Sequence, residues 1–176
     1  MKNLITICAF TVLVVATSCS ELQFVQEAHT APAPAGSLAS VLGEQLVNAE
    51  ERTINADDVQ AERIALYFSA LWCPPCRNFT PLLVDAYNEL QEAGKPFEVI
   101  FVSADRSAEA MQKYMVDYKM PWLAIPFDGE ARQTLPQQHR VRGIPALVVL
   151  DAEGNVISRN AVMDIRDHGA AAFERW

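Results

Sequence analysis

The chain has 176 residues, a formal net charge of −8 and 51% hydrophobic residues. That length buries a core able to stand without disulfide staples, and that apolar content argues against a disordered polymer. The acidic balance argues against a nucleic-acid partner, whose phosphates would repel it, and against electrostatic docking on anionic lipid.

Residues 1–18 read as a signal peptide. Met1-Lys2-Asn3 is a short positive start, Leu4 to Val15 is apolar apart from Thr6 and Thr11, and Ala16-Thr17-Ser18 supplies small residues for cleavage. The apolar run falls short of the roughly 20 residues of a membrane span. Small residues running into Cys19 resemble the bacterial lipobox, with Ala16 where that motif has leucine. The resemblance implies a Cys19 lipid anchor and an exported protein tethered in the bacterial cell envelope, facing the periplasm. The alternative is ordinary cleavage after Ser18, leaving Cys19 a free thiol, a liability in an oxidising compartment. Residues 19–40 read as a flexible tether, because Ala31-Pro32-Ala33-Pro34-Ala35-Gly36-Ser37 has no apolar periodicity. A disordered leader has the same composition. Residues 41–176 form the expected folded domain.

Within it, Leu46-Val47-Asn48 and Thr53-Ile54 fit a short hairpin or one edge strand, and Asp57-Asp58 opens a short helix. Arg63 to Ser69 reads as a buried strand. A helix follows over about 75–93, with Phe79, Leu82, Leu83, Ala86 and Leu90 on one face and Gly94 closing it. Phe97 to Ser103 is a second apolar strand. Ser107 caps a helix reaching about Lys119, with Ala108, Met111, Met115 and Tyr118 inward. Glu130 to His139 is a third helix, and Ala146–Leu150 with Asn155–Arg159 a hairpin around Asp151-Ala152-Glu153-Gly154. Phe173 and Trp176 are placed to pack back on the domain. This order predicts an α/β fold with a mixed sheet and helices on both faces. The two long buried strands are expected to be parallel, because a full helix joins them.

Of the four cysteines, Cys8 leaves with the signal peptide and Cys19 is the lipidation candidate, so Cys73 and Cys76 remain in the domain. A loop that small removes little chain entropy, so the pair is not there mainly for stability. It lies beyond the carboxyl end of the first buried strand, where open α/β sheets place their chemistry. Zinc needs four ligands. No second pair accompanies this one; His29 falls in the tether, and His139 and His168 stand apart as surface or structural histidines. No metal site and no cofactor are expected.

Thiol–disulfide exchange has a physical basis in this arrangement. Cys73 meets the N-terminus of a helix, whose free N–H groups and positive end favour thiolate, the attacking species. Pro74 and Pro75 stiffen the turn but carry no N–H, which leaves the backbone donors of Cys76 and Arg77 and makes the stabilisation moderate. Cys76, one turn inside, is expected to be buried and to resolve the mixed disulfide. Trp72 is a flat wall beside the pair, a core residue, or both. Farther on, Gly143-Ile144-Pro145 enters a strand. A cis bond between Ile144 and Pro145 would explain a proline there and leave the Ile144 backbone free to pair with a substrate peptide.

Tyr67 to Arg77 (YFSALWCPPCR) resembles the active-site segment of tryparedoxins and nucleoredoxins. Phe101-Val102-Ser103-Ala104-Asp105, the run Met120 to Phe127 (MPWLAIPF) and Gly143-Ile144-Pro145 resemble their later landmarks, in order. The resemblance implies a thioredoxin fold, Cys73 as nucleophile, Cys76 as resolving thiol and Pro145 in cis. The expected activity is electron exchange with protein disulfides or thiols, as reductant or isomerase, by a monomer that a thiol reductant recycles. There are two departures. Ordinary thioredoxins carry a buried aspartate six residues before the first cysteine, where this chain has Tyr67, so the proton-transfer group is unassigned. The best-known relatives are also intracellular, whereas this chain carries an export signal. The competing readings are a binding module delivering Cu(I) through the same two thiols and an adhesion domain with an idle motif.

Overall fold

The computed structural model describes residues 38–176, all within one compact unit. The signal peptide, Cys19 and the proline-rich stretch lie outside the described residues. Helix α1 (Leu38–Leu42) buries Ala39 and Leu42, so folded structure begins inside the last residues of the segment read as tether. A hairpin follows, β1 (Gln45–Val47) pairing antiparallel with β2 (Thr53–Asn55), and then a 3₁₀ turn over Ala56–Asp58. No helix among the described residues is long and apolar enough to cross a membrane.

The centre of the sheet is β3 (Arg63–Ser69), hydrogen-bonded in parallel to β4 (Phe97–Ser103) and antiparallel to β6 (Ala146–Asp151). With β5 (Leu123–Ala124) and β7 (Val156–Ser158) the seven strands run in the order β2-β1-β5-β4-β3-β6-β7. Successive side chains of a strand point to opposite faces. Ala65, Tyr67, Val99, Phe101, Leu147 and Val149 therefore meet α2 (Pro74–Glu92), α3 (Ala108–Asp117) and α5 (Ala161–His168) on one face. Ile64, Leu66, Phe68, Ile100, Val102 and Val148 meet α1 and α4 (Glu130–Gln138) on the other. Burial on both faces explains why β3 and β4 read as continuous apolar runs. The fold is the expected thioredoxin-type α/β arrangement.

Helix α2 ends as Gly94 implies. Gly94 adopts φ +66°, its N–H donates to the Gln91 carbonyl (3.0 Å), and the Lys95 N–H donates to the Leu90 carbonyl (2.9 Å). Both bonds satisfy carbonyls that the helix end leaves open. Phe79, Leu83, Ala86 and Leu90 are buried, but Leu82 is exposed. The buried stripe turns instead through Cys76, Thr80 and Tyr87, leaving Leu82 at its edge. On α3, Met111 and Met115 point inward as expected, Ala108 is exposed and Tyr118 half-buried. The central place belongs to Tyr114, fully buried and assigned no role by the sequence pattern.

At the C-terminal end Phe173 is buried. The Trp176 carbonyl accepts from Arg63 Nη2 at 2.9 Å, and the Trp176 indole donates to Asp164 at 2.9 Å. His139 is half-buried, its pKa lowered by burial and by Arg159, whose Nη1 donates to the His139 carbonyl at 2.8 Å. His168 is exposed.

Candidate active site

Strand β3 ends at Ser69, and the chain turns through Ala70-Leu71-Trp72 into α2. The Cys73 N–H donates to the Ala70 carbonyl at 3.1 Å, which closes the turn and sets Cys73 as the N-cap of the helix. Cys73 and Cys76 form a disulfide, with their Cα atoms 5.3 Å apart. The Cys76 N–H points at Cys73 Sγ at 3.3 Å. The expected second donor does not reach the sulfur: the Arg77 N–H goes to the Cys73 carbonyl at 3.1 Å. Pro74 and Pro75 occupy the exposed first positions of the helix, so one backbone donor serves the sulfur. Cys76 is fully buried, while Cys73 keeps 4% of its surface. An outside thiol or disulfide therefore meets Cys73 first.

The Ile144–Pro145 bond is cis and lies across from the pair. Ile144 packs on Ala70, Cys73 and Cys76, and its carbonyl oxygen is 3.8 Å from Cys73 Sγ. Trp72 is not a core residue. It is 54% exposed, with its indole N–H donating to the Ala104 carbonyl at 3.1 Å. Arg77 is exposed one position beyond Cys76. The structure thus brings together Trp72, Cys73, Pro74, Pro75, Cys76, Arg77, Ile144 and Pro145. Cys19 lies outside the described residues.

Two further groups support this site that the sequence does not assemble. The first is the exit of β4. Asp105 is buried; its Oδ1 accepts the Leu71 N–H at 2.9 Å and its Oδ2 the Ser103 hydroxyl at 2.9 Å. The Ala104 N–H donates to the Ser69 carbonyl at 2.8 Å. The β4 exit therefore fastens the segment that carries Trp72 and Cys73. Burial raises the Asp105 pKa against the pull of Ser103, the Leu71 N–H and Arg132. Asp105 lies inside a segment that resembles a family landmark, and nothing else in the sequence marks it.

The second group is a cluster of four buried hydroxyls from Tyr67, Ser69, Thr80 and Tyr114. Thr80 donates to the Cys76 carbonyl at 2.9 Å. Tyr67 stands where an ordinary thioredoxin has its aspartate. Burial, then the neighbouring Tyr114, holds its phenol far above its usual range, so it stays neutral. Alternation along β3 places Tyr67 and Ser69 on one face, but nothing local pairs them with Thr80 and Tyr114.

A family model described as "Thioredoxin-like" matches residues 62–156. The nucleoredoxin of Bos taurus is 40% identical over 126 residues, covering 71% of this chain and 28% of that protein. Probable nucleoredoxin 1 of Arabidopsis thaliana is 44% identical over 137 residues, covering 77% of this chain and 23% of that protein. The chain thus spans less than a third of the length of these curated relatives. Among solved structures, tryparedoxin I from Leishmania major superposes with a TM-score of 0.70 at 34% identity, covering 78% of this chain and 96% of that one. The thioredoxin from Wuchereria bancrofti gives 0.68 at 34% identity, covering 77% and 94%.

Proposed function

The chain belongs to the thioredoxin-like family, in the branch of tryparedoxins and nucleoredoxins, and we propose that it exchanges dithiol for disulfide on protein substrates, as reductant or isomerase. The observation that carries this reading is the pair itself: a cysteine at a helix N-terminus that keeps 4% of its surface and a second, fully buried one bonded behind it.

In the reducing direction, the Cys73 thiolate attacks one sulfur of a substrate disulfide. The substrate S–S bond breaks, a mixed disulfide forms and one substrate thiolate leaves. The Cys76 thiolate then attacks Cys73 Sγ, releasing the second substrate thiolate and closing the 73–76 disulfide. Two electrons pass to the substrate, and its two thiolates take up the protons that Cys73 and Cys76 gave up. An external thiol reductant, itself oxidised to a disulfide, returns the pair to the dithiol. The Cys76 N–H lowers the cost of charge on Cys73, and Ile144, Pro145 and Trp72 shape the approach.

The test is disulfide reduction by the pre-reduced protein and by Cys73→Ser. The variant is expected to lose the activity; full activity in it would remove the reading. Delivery of Cu(I) by the same thiols would instead leave metal bound after purification under reducing conditions.

We also propose, from residues 1–19, that the protein is exported and held at the cell envelope by an acylated Cys19. Cys19→Ala is expected to move it from the membrane fraction to the soluble one; unchanged fractionation would remove this proposal.

A further inference from the structure

We propose that the disulfide end of this molecule is a docking surface for acidic polypeptide segments that carry an apolar side chain beside the cysteine to be exchanged. This rests on the oxidoreductase reading and adds to it the class of substrate.

The apolar part is built around Trp72. Its indole is exposed yet held by the bond to Ala104, and it stands between two clefts. One, of about 270 Å³, is lined by Phe68, Val102, Pro136, Val141 and Ile144 together with Trp72. The other, of about 310 Å³, is lined by Leu71, Asp105, Arg106 and Ala110 on the other flank of the indole. Ile144 belongs to the first cleft, and its carbonyl lies 3.8 Å from Cys73 Sγ. A side chain filling that cleft is therefore next to the cysteine undergoing exchange. Apolar walls and a half-exposed tryptophan favour an aliphatic or aromatic side chain there.

The charged part is a rim of three exposed arginines. Arg77 follows Cys76, Arg106 lines the second cleft, and Arg142 precedes Gly143, which also lines the first. None of the three guanidinium groups makes an ion pair or hydrogen bond among the described residues. The ion pairs found there lie elsewhere, at Arg52–Glu50, Lys95–Glu174 and Lys113–Asp117. The carboxylates beside this rim in sequence, Asp105 and Glu109, are fewer than its three arginines. Asp105 is turned inward to Leu71 and Ser103, and Glu109 is engaged by its own backbone and by Ser107 at the start of α3. In a chain of net charge −8, a local excess of cations at the reactive disulfide selects anionic segments and speeds their encounter.

The test uses two synthetic peptides of equal length. Each has leucine beside a cysteine that is disulfide-linked to a fluorescence quencher, with aspartates flanking in one and lysines in the other. The pre-reduced protein is expected to reduce the aspartate peptide about tenfold faster at low ionic strength, with the ratio falling toward one as salt is added. Arg106→Glu combined with Arg142→Glu is expected to bring the ratio below one. Exchanging leucine for asparagine is expected to slow the aspartate peptide several-fold. Equal rates at low salt, or a ratio unmoved by the charge reversals in a folded variant, would overturn the proposal. If the double variant does not fold, the salt dependence of the unsubstituted protein decides. Neutral hydroxyethyl disulfide separates the two readings. If it is reduced while the peptides react equally, the docking surface alone fails; if none of the three is reduced, the oxidoreductase reading fails first.

Discussion

The hydroxyl of Tyr67 lies 2.8 Å from the hydroxyl of Thr80, beneath the helical turn that carries Cys76. One assignment satisfies the whole cluster: Tyr67 and Tyr114 donate to Thr80, Thr80 to the Cys76 carbonyl, and Ser69 to Tyr67. Every hydroxyl proton then has an acceptor, as buried polar groups require. Thr80→Val removes the hub, leaving Tyr114 to donate to Ser69 at 3.0 Å and Tyr67 with only a 3.4 Å bond to the Cys76 carbonyl. It is expected to cost about 1–3 kcal/mol of stability, read as a lower urea midpoint. Since the Tyr67 phenol is held neutral, Tyr67→Phe is expected to leave the shape of the pH–rate profile unchanged. A lost limb in that profile would make Tyr67 the missing proton-transfer group.

Cys76 is fully buried while Cys73 keeps 4% of its surface, and from this asymmetry Cys73 is expected to attack first. Cys76→Ser is expected to form the first mixed disulfide and stop, so a covalent adduct with substrate accumulates on non-reducing gels. Cys73→Ser is expected to form none. An adduct on Cys76 in the Cys73→Ser protein would reverse the assignment.

The elements that position the site were legible because their signals are local. The apolar run of β3, the proline-capped start of α2 and the glycine that closes it each declare themselves within a few residues, and Gly143-Ile144-Pro145 marks the cis bond. The supporting groups were not legible, because they arise only when β3, β4, α2 and α3 converge. Tyr114 stands beside exposed Lys113 and outside the stripe the apolar pattern marks on α3, and Asp105 looks like an ordinary loop carboxylate until the fold buries it. Leu82 shows the opposite error: periodicity counted an edge position as core, because Thr80 takes the inward place a hydroxyl would not be given from composition.

Asp105 ties two loops at one point, since its Oδ1 is the acceptor for the Leu71 N–H. Asp105→Ala leaves that part-buried donor unpaired and is expected to cost about 1–3 kcal/mol. It also frees the Leu71-Trp72 segment, so the Trp72 emission is expected to shift and kcat/KM for disulfide reduction to fall. Asp105→Asn keeps an acceptor for Leu71 and is expected to restore most of both. If asparagine behaves as alanine does, the charge and not the bond to Leu71 is what matters.

Glu98 offers a pH dependence whose sign is fixed by its surroundings. It lies on β4 with the Tyr87 hydroxyl donating at 3.1 Å, and burial raises its pKa from 4.5 to about 6 despite that bond and the Val99 N–H. A carboxyl with a raised folded pKa keeps its proton longer in the folded state than in the unfolded one. Between about pH 4.5 and 6 the folded state therefore binds more protons, and stability falls as pH rises through this window. The full difference, present above it, is about 2 kcal/mol. Glu98→Gln mimics the protonated form and can still accept from Tyr87. The urea midpoint of the native protein is expected to drop between pH 4.5 and 7, with that part of the drop missing in Glu98→Gln. Parallel pH profiles for the two proteins would show that Glu98 ionises in the fold at no extra cost.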